Sequence, residues 1–315
     1  MKKIILSLLS VLLVVGVANA QYYYVPNINA GENPGNLNND GEFAVGSGLD
    51  PSWTTILPGG NSTPTWSSIQ SIPFPFNFEG SPVTEYKVSS TGVLTFTTSA
   101  TAVPGPVAAS LPSPNIPDQS VVIWGINGTG SDDNVVTKTF GTSPNRQHWV
   151  FFSSFSKRNT VTFWSIVLEE TTNNIHIVDQ RHLSLVTGLS LGVQSDINNA
   201  VQVTGSPRVA ALAEQDSTPV DNSYYTFING TQPTVDLSVT SFSNSEILLL
   251  SNSPFIISGE VSNFGTAAVS SFDINYQVNN GNVITRTLNQ NIPSYGTSDF
   301  SHPVPWNPAS TGLYT

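Results

Sequence analysis

The sequence predicts an all-β protein, a jelly-roll-like antiparallel β-sandwich followed by a truncated immunoglobulin-like β-sandwich. Three observations carry that expectation. Short runs that alternate apolar and polar residues, such as TEYKV (84–88) and VTFWSIVLEE (161–170), recur between clusters of Gly, Pro and Asn. No amphipathic helical pattern of useful length follows residue 20. Charged residues make up 10% of the chain, against about 25% in a typical globular protein. The surface must therefore be built from Ser, Thr, Asn, Gln and Gly, a composition common among extracellular β proteins.

The first 20 residues, MKKIILSLLSVLLVVGVANA, read as a secretory signal peptide. Lys2 and Lys3 precede an apolar run from Ile4 to Val17, and Ala18-Asn19-Ala20 is a small-x-small cleavage site. The run is too short for a membrane span, and no later stretch approaches the roughly 20 apolar residues a spanning helix needs. Cleavage after Ala20 leaves Gln21 first, so a lipid-anchored cysteine is not expected. Removing Lys2 and Lys3 takes the formal net charge from −11 to −13. That sign disfavours nucleic acid and favours calcium as a partner. With no cysteine, thiol catalysis, zinc-ribbon sites and disulfide staples are all excluded.

After the signal, residues 21–80 read as a loop-rich lead-in, dense in Asn, Gly and Pro. Residues 81–230 hold the densest strands and form the first sandwich, with a proline-rich loop at 104–118. INGTQPTVD (228–236) reads as a linker in which Pro233 blocks strand continuity. Residues 231–315 carry a second strand series, VDLSVTSF, FIISGEVSNFG, SSFDINYQV and VITRTL, the last two joined by VNNGNV; Asn280-Gly281 there suits a type I′ hairpin. From Val235 only about 80 residues remain, against about 100 for a complete immunoglobulin-like sandwich. The chain stops at TGLYT, where a strand is beginning. The expectation is a C-terminally truncated second domain within a longer protein.

The stretch SSTG (89–92) tests for chemistry. A serine nucleophile elbow needs G-x-S-x-G at a strand-to-helix turn. Here no Gly precedes Ser89 or Ser90, and a strand follows. The tetrapeptide is what a tight hairpin turn wants, with Gly92 free to take positive φ. In the meander of HWVFFSSF, VTFWSIVLEE and NIHIVDQRH, four-residue loops at 156–159 and 171–174 would set Glu169 opposite His176, Val167 opposite Val178 and Phe151 opposite Trp164. One face would then carry Trp149, Phe151, Trp164, Ile166, Leu168, Ile175 and Ile177 as core. The other would carry His148, Val150, Phe152, Phe163, Val167, His176, Val178, Gln180 and His182.

That second face supplies the expected ligand site: His148, Phe152, Phe163, Gln180 and His182, aromatic plates with few polar groups, suited to a glycan or protein ligand. The competing reading is that these histidines are structural donors beneath a covering layer. If the face is packed over, a structural stalk is favoured. A zinc site is disfavoured because the register spreads the histidines apart. Asp132, Asp133 and Asn134 in NGTGSDDN offer hard oxygen ligands for calcium, but without EF-hand spacing or its terminal Glu; a solvated turn comes first. Glu169 and Glu170 are adjacent on a strand and point to opposite faces, which speaks against a glycosidase pair. Asp179 shares only Glu170's face.

The segments FPFNFEG…YKVSSTGVLTF, NRQHW, WSIVLEETTNNIHIVDQRH and YYTFING resemble the N-terminal domain of exported Bacteroidetes surface proteins, which often carry type IX sorting tails. GEVSNFGTAAVSSFDINYQVNNG…VPWNP…TGLYT resembles the adhesion-type immunoglobulin-like domain of the outer-membrane-protein-28-related family. Together the matches cover roughly residues 70–315. The resemblance implies a secreted or outer-membrane address and a binding or scaffolding role. It transfers no catalytic residue, and it agrees that SSTG is a hairpin turn. Family members often continue into a thioredoxin-like domain and a sorting tail, patterns that do not occur in residues 1–315. The expectation is a secreted or cell-surface, non-catalytic binding or adhesion protein without a cofactor. The alternatives are a non-catalytic part of a larger secreted enzyme, or a purely structural stalk.

Overall fold

The structure is a computed structural model that describes residues 21–25, 33–41, 51–157, 160–182, 187–211, 222–244 and 247–314. The signal segment lies outside the described residues. The protein is nearly all β. In chain order the first strands are β1 (Tyr22–Val25), β2 (Thr54–Leu57), β3 (Gln70–Phe78), β4 (Ser81–Val88), β5 (Val93–Thr95), β6 (Ser120–Trp124) and β7 (Val135–Thr142). Next come β8 (Asn145–Lys157), β9 (Thr160–Glu169), β10 (Ile175–His182), β11 (Thr187–Gln194), β12 (Ala200–Gln202), β13 (Val209–Ala210) and β14 (Ser223–Asn229). The remainder are β15 (Leu237–Phe242), β16 (Ser258–Asn263), β17 (Phe272–Tyr276), β18 (Ile284–Leu288) and β19 (Thr297–Ser301).

Two antiparallel seven-stranded sheets face each other. One runs β1-β14-β10-β9-β8-β7-β2; the other runs β12-β11-β6-β5-β4-β3, with β13 paired to β11. Between them lies one apolar core that includes Phe76, Phe78, Tyr86, Leu94, Ile123, Phe152, Trp164, Ile166, Ile177 and Phe227. The residues expected as a loop-rich lead-in supply β1, β2 and β3, and so belong to the sandwich. β3 shows why: every second residue from Ile72 to Phe78 is buried while its neighbours are not, the period of a strand with one face on a core.

A second, outward face of the β8–β9–β10 sheet also carries a closed apolar cluster: Trp53, Val136, Trp149, Phe151, Phe163, Val167 and Val178. The ring of Trp53, just before β2, sits 5.7 Å from that of Phe140 and 5.8 Å from that of Phe151. Lys138 spans Trp53 and Phe140 and pairs with Asp40, which also accepts a hydrogen bond from the Trp53 indole. The proline-rich loop covers the opposite sheet in the same way, with Leu111 and Ile116 against Val93, Val122 and Trp124.

The expected meander forms, in a different register. Lys157 pairs with Thr160, leaving only residues 158 and 159 between β8 and β9, and an irregularity between Phe152 and Phe155 then takes back one residue. Phe152, not Phe151, lies opposite Trp164. A one-residue slip turns every side chain to the other face. Val150 and Phe152 therefore face the inner core, and Trp149 and Phe151 face outward. On the next pair His176 lies opposite Val167, and Ile177 opposite Ile166. This is a two-residue shift, which leaves the faces as expected.

Beyond the linker, β15-β16-β19 form a three-stranded sheet and β17-β18 a two-stranded one. Val261, Ile274, Ile292 and Phe300 make a separate small core. The β17–β18 hairpin turns at Asn279 and Asn280, both at positive φ, with Gly281 N donating to Val278 O. The type I′ pair is thus one residue earlier than Asn280-Gly281. The stacked rings of Tyr24 and Tyr295, 5.2 Å apart and 9° from parallel, connect the first sandwich to this region.

Candidate functional site

The SSTG stretch connects β4 to β5 as a hairpin turn. Gly92 adopts φ +85°, and a Cβ there would lie 2.1 Å from Ile123 O. Ser89 Oγ accepts from the backbone N–H groups of Thr91 (3.3 Å) and Val93 (3.1 Å) and contacts Thr91 Oγ1 at 2.9 Å. Ser90 Oγ accepts from Thr65 N at 3.0 Å. All three hydroxyls are buried. They hold backbone in place rather than presenting a nucleophile.

The five residues expected to form one ligand face are not brought together. His148 faces inward, where Nε2 lies 2.8 Å from Tyr86 Oη on the opposite sheet and Nδ1 lies 3.0 Å from Thr139 Oγ1. Burial pushes its imidazole down to about 4, because the low-dielectric interior disfavours the charged ring. The same burial raises the Tyr86 phenol far above its ordinary value. Phe152 is fully buried in the inner core, edge-on to Phe155 at 5.3 Å. Phe163 does face outward, yet is only 2% exposed. It stacks on Phe151 at 6.3 Å, under the Arg181 guanidinium at 5.7 Å. Gln180 is buried and accepts a 2.6 Å hydrogen bond from Ser165 Oγ. His182 is half-buried opposite Thr162. The single ligand face expected from the sequence is therefore corrected to two packed surfaces: the one-residue slip of β8 turns His148 and Phe152 inward, and Trp53, Val136, Trp149 and Phe151 cluster with Phe163 on the outer face.

In the NGTGSDDN loop, Asp133 is buried and Oδ2 accepts from Gly130 N at 2.6 Å. Burial raises its carboxyl, and hydrogen bonds from the Gly130 and Thr129 backbone only partly offset that. Asn134 Oδ1 accepts from Gly59 N at 2.9 Å, and Asn134 Nδ2 donates to Asp132 O at 3.1 Å. Asn134 Oδ1 thus fastens the loop to the segment before β3, while Asp133 closes the loop on itself. No cluster of three metal-ligating side chains occurs among the described residues.

Glu169 and Glu170 diverge, as adjacent strand residues should. Glu170 is clasped by Arg146 through Nε (2.8 Å) and Nη2 (2.6 Å); those hydrogen bonds lower its carboxyl. Asp179 lies well along β10, opposite Trp164. Glu169 lies near His176, which the expected register set opposite it, in a polar cluster with Thr226, Thr172 and Gln147 that the residue pattern did not single out. His176 Nδ1 lies 3.0 Å from Thr226 Oγ1, and its Nε2 lies 3.8 Å from Glu169 Oε1, an ion-pair separation rather than a hydrogen bond. Burial alone would raise Glu169; the His176 ring, the Thr172 hydroxyl and the Gln147 amide outweigh it and hold the carboxyl at about 2. Thr226 comes from β14, too distant in sequence for meander reasoning to include it.

A mostly apolar opening lies elsewhere, in the second region. It is a groove of about 460 Å³ between β15 and β17, with Trp306 and Tyr314 at one end.

Two packed antiparallel sheets, short polar turns and hydroxyl-pinned loops define an all-β sandwich module. Residues 52–229, more than half of the chain, match the NIDO-related family, and the chain belongs to that family. The family is of the extracellular kind. Searches of curated proteins and of solved structures gave no match. No helix among the described residues is long and apolar enough to cross a membrane.

Proposed function

We propose that this is an exported, non-catalytic protein of the cell surface or secreted fraction, in which the NIDO-related sandwich is a rigid scaffold and adhesion to a protein partner occurs outside it. The observation that carries the reading is the commitment of its polar side chains. His148 bridges the two sheets, Ser89 and Ser90 pin a turn, Asp133 pins a loop and Glu170 is clasped by Arg146. Groups used in this way build a body rather than a reaction site. The extracellular character of the family, the signal-like residues 1–20 and the resemblance to exported Bacteroidetes surface proteins support the address, including export by the type IX route. Because Phe163 is packed over, the first sandwich takes the structural, stalk-like role expected of a covered face, and a ligand is held outside it.

The test is expression in a secreting host, with intact-mass measurement and surface proteolysis, followed by glycan-array and surface-protein binding. The reading expects a secreted species lacking residues 1–20, with cyclised Gln21 acceptable, and no glycan binding that depends on Phe163. Retention of the first 20 residues on an intracellular product would overturn it.

A further inference from the structure

β17 has one partner strand, β18. Its other edge therefore offers backbone N–H and C=O groups that no described strand uses. The groove of about 460 Å³ runs along that edge: Ile274, Asn275 and Tyr276 of β17 line it in succession, as do Gln277 and Val278 of the connection that follows. Successive strand residues point to opposite faces, so a cavity that touches three strand residues in a row is walled by the strand's backbone edge and not by one of its faces. Its floor is Ile274 and Phe300, both buried. Its far rim is Val239, 40% exposed, and Phe242, 69% exposed, from β15. An apolar floor beside an open ladder is complementary to one kind of occupant. An extended strand satisfies the edge through its main chain and the floor through alternate side chains. A sugar would leave the apolar floor unmatched, and a helix would leave the ladder unpaired.

We propose that this groove is the acceptor for one extended β-strand of a partner polypeptide, carrying apolar residues at alternate positions and adding to the free edge of β17. The proposal rests on the adhesion reading above and names the kind of partner that reading requires.

The probe is a capped nonapeptide of alternating threonine and isoleucine, titrated into the full chain. Hydrogen exchange is followed over residues 272–278, and oligomeric state is followed by sedimentation. Saturable binding is expected, with new protection confined to β17. Alternate backbone N-methylation of the peptide should weaken binding at least about tenfold, as should Phe242→Ser. The melting temperature of Phe242→Ser should be unchanged, because the side chain is exposed. Equal binding of the N-methylated peptide would overturn the proposal, since contact would then be apolar only. No saturable binding up to the peptide's solubility limit would overturn it too. So would a concentration-dependent dimer abolished by Phe242→Ser, which would assign the groove to a second copy, or a glycan that competes at the groove. Failure of these measurements leaves secretion of the chain untouched, whereas an unprocessed intracellular product sinks the adhesion reading even if the peptide binds.

Discussion

His148 Nε2 and Tyr86 Oη meet at 2.8 Å across the core, tying β8 of one sheet to β4 of the other. The contact makes a buried, neutral imidazole part of the fold. In the unfolded chain that histidine ionises near its ordinary 6.5; in the folded protein it does so near 4. Between those values the unfolded state binds more protons, so stability rises with pH across that window. The penalty is absent above about pH 6.5 and complete below about pH 4, where it reaches roughly 3 kcal/mol. His148→Gln keeps a donor and an acceptor but cannot titrate. Its melting temperature should fall less steeply between pH 6.5 and 4 than that of the wild type. Parallel curves for the two proteins would show that His148 is not the titrating group.

Ser89 should matter to stability and to nothing else. Ser89→Ala removes the acceptor for the buried Val93 N–H and should cost about 1–3 kcal/mol in urea unfolding. Gly92→Ala should be worse, because residue 92 sits at φ +85° with the Ile123 carbonyl in the way. A Gly92→Ala protein as stable as wild type would contradict the turn geometry.

Phe163→Ala should lower stability by about 3–5 kcal/mol, the cost of truncating a buried aromatic. A loss below about 1 kcal/mol, within the range of exposed substitutions, would return Phe163 to an open face.

Chelation should not soften the Asp132–Asn134 loop, because Asp133 Oδ2 and Asn134 Oδ1 already accept from backbone N–H groups. The melting temperature should be the same with EDTA as with millimolar calcium. A rise of several degrees on adding calcium would show that the loop takes a cation.

The sequence carried the architecture further than it carried the faces. Alternation along TEYKV and VTFWSIVLEE, and the Gly and Asn turns between runs, are local signals, and local chemistry determines strands and hairpins. Which face each residue takes depends on loop length. The connection between Lys157 and Thr160 is two residues, not four, and a bulge near Ser153 and Ser154 returns one. Neither adjustment leaves a mark in composition, and together they turned His148 and Phe152 inward. β1, β2 and β3 were hidden for another reason. Their strands are short or rich in proline, and what holds them is pairing with β14, β7 and β4, tertiary context that overrides weak local propensity. Thr226 escaped notice beside His176 because the pairing of β10 with β14 is long-range.

Tryptophan accessibility tests most directly the claim that both faces of the NIDO-related sandwich are closed. Trp53, Trp124, Trp149 and Trp164 are all at most 4% exposed, while Trp66 and Trp306 are half-buried. In a Trp66→Phe, Trp306→Phe protein the remaining emission should be blue-shifted and resist acrylamide, with a shallow quenching slope that steepens only on unfolding. A steep slope in the native state would mean that the outer face around Trp53 and Trp149 stands open to solvent, and the scaffold reading would fall with it.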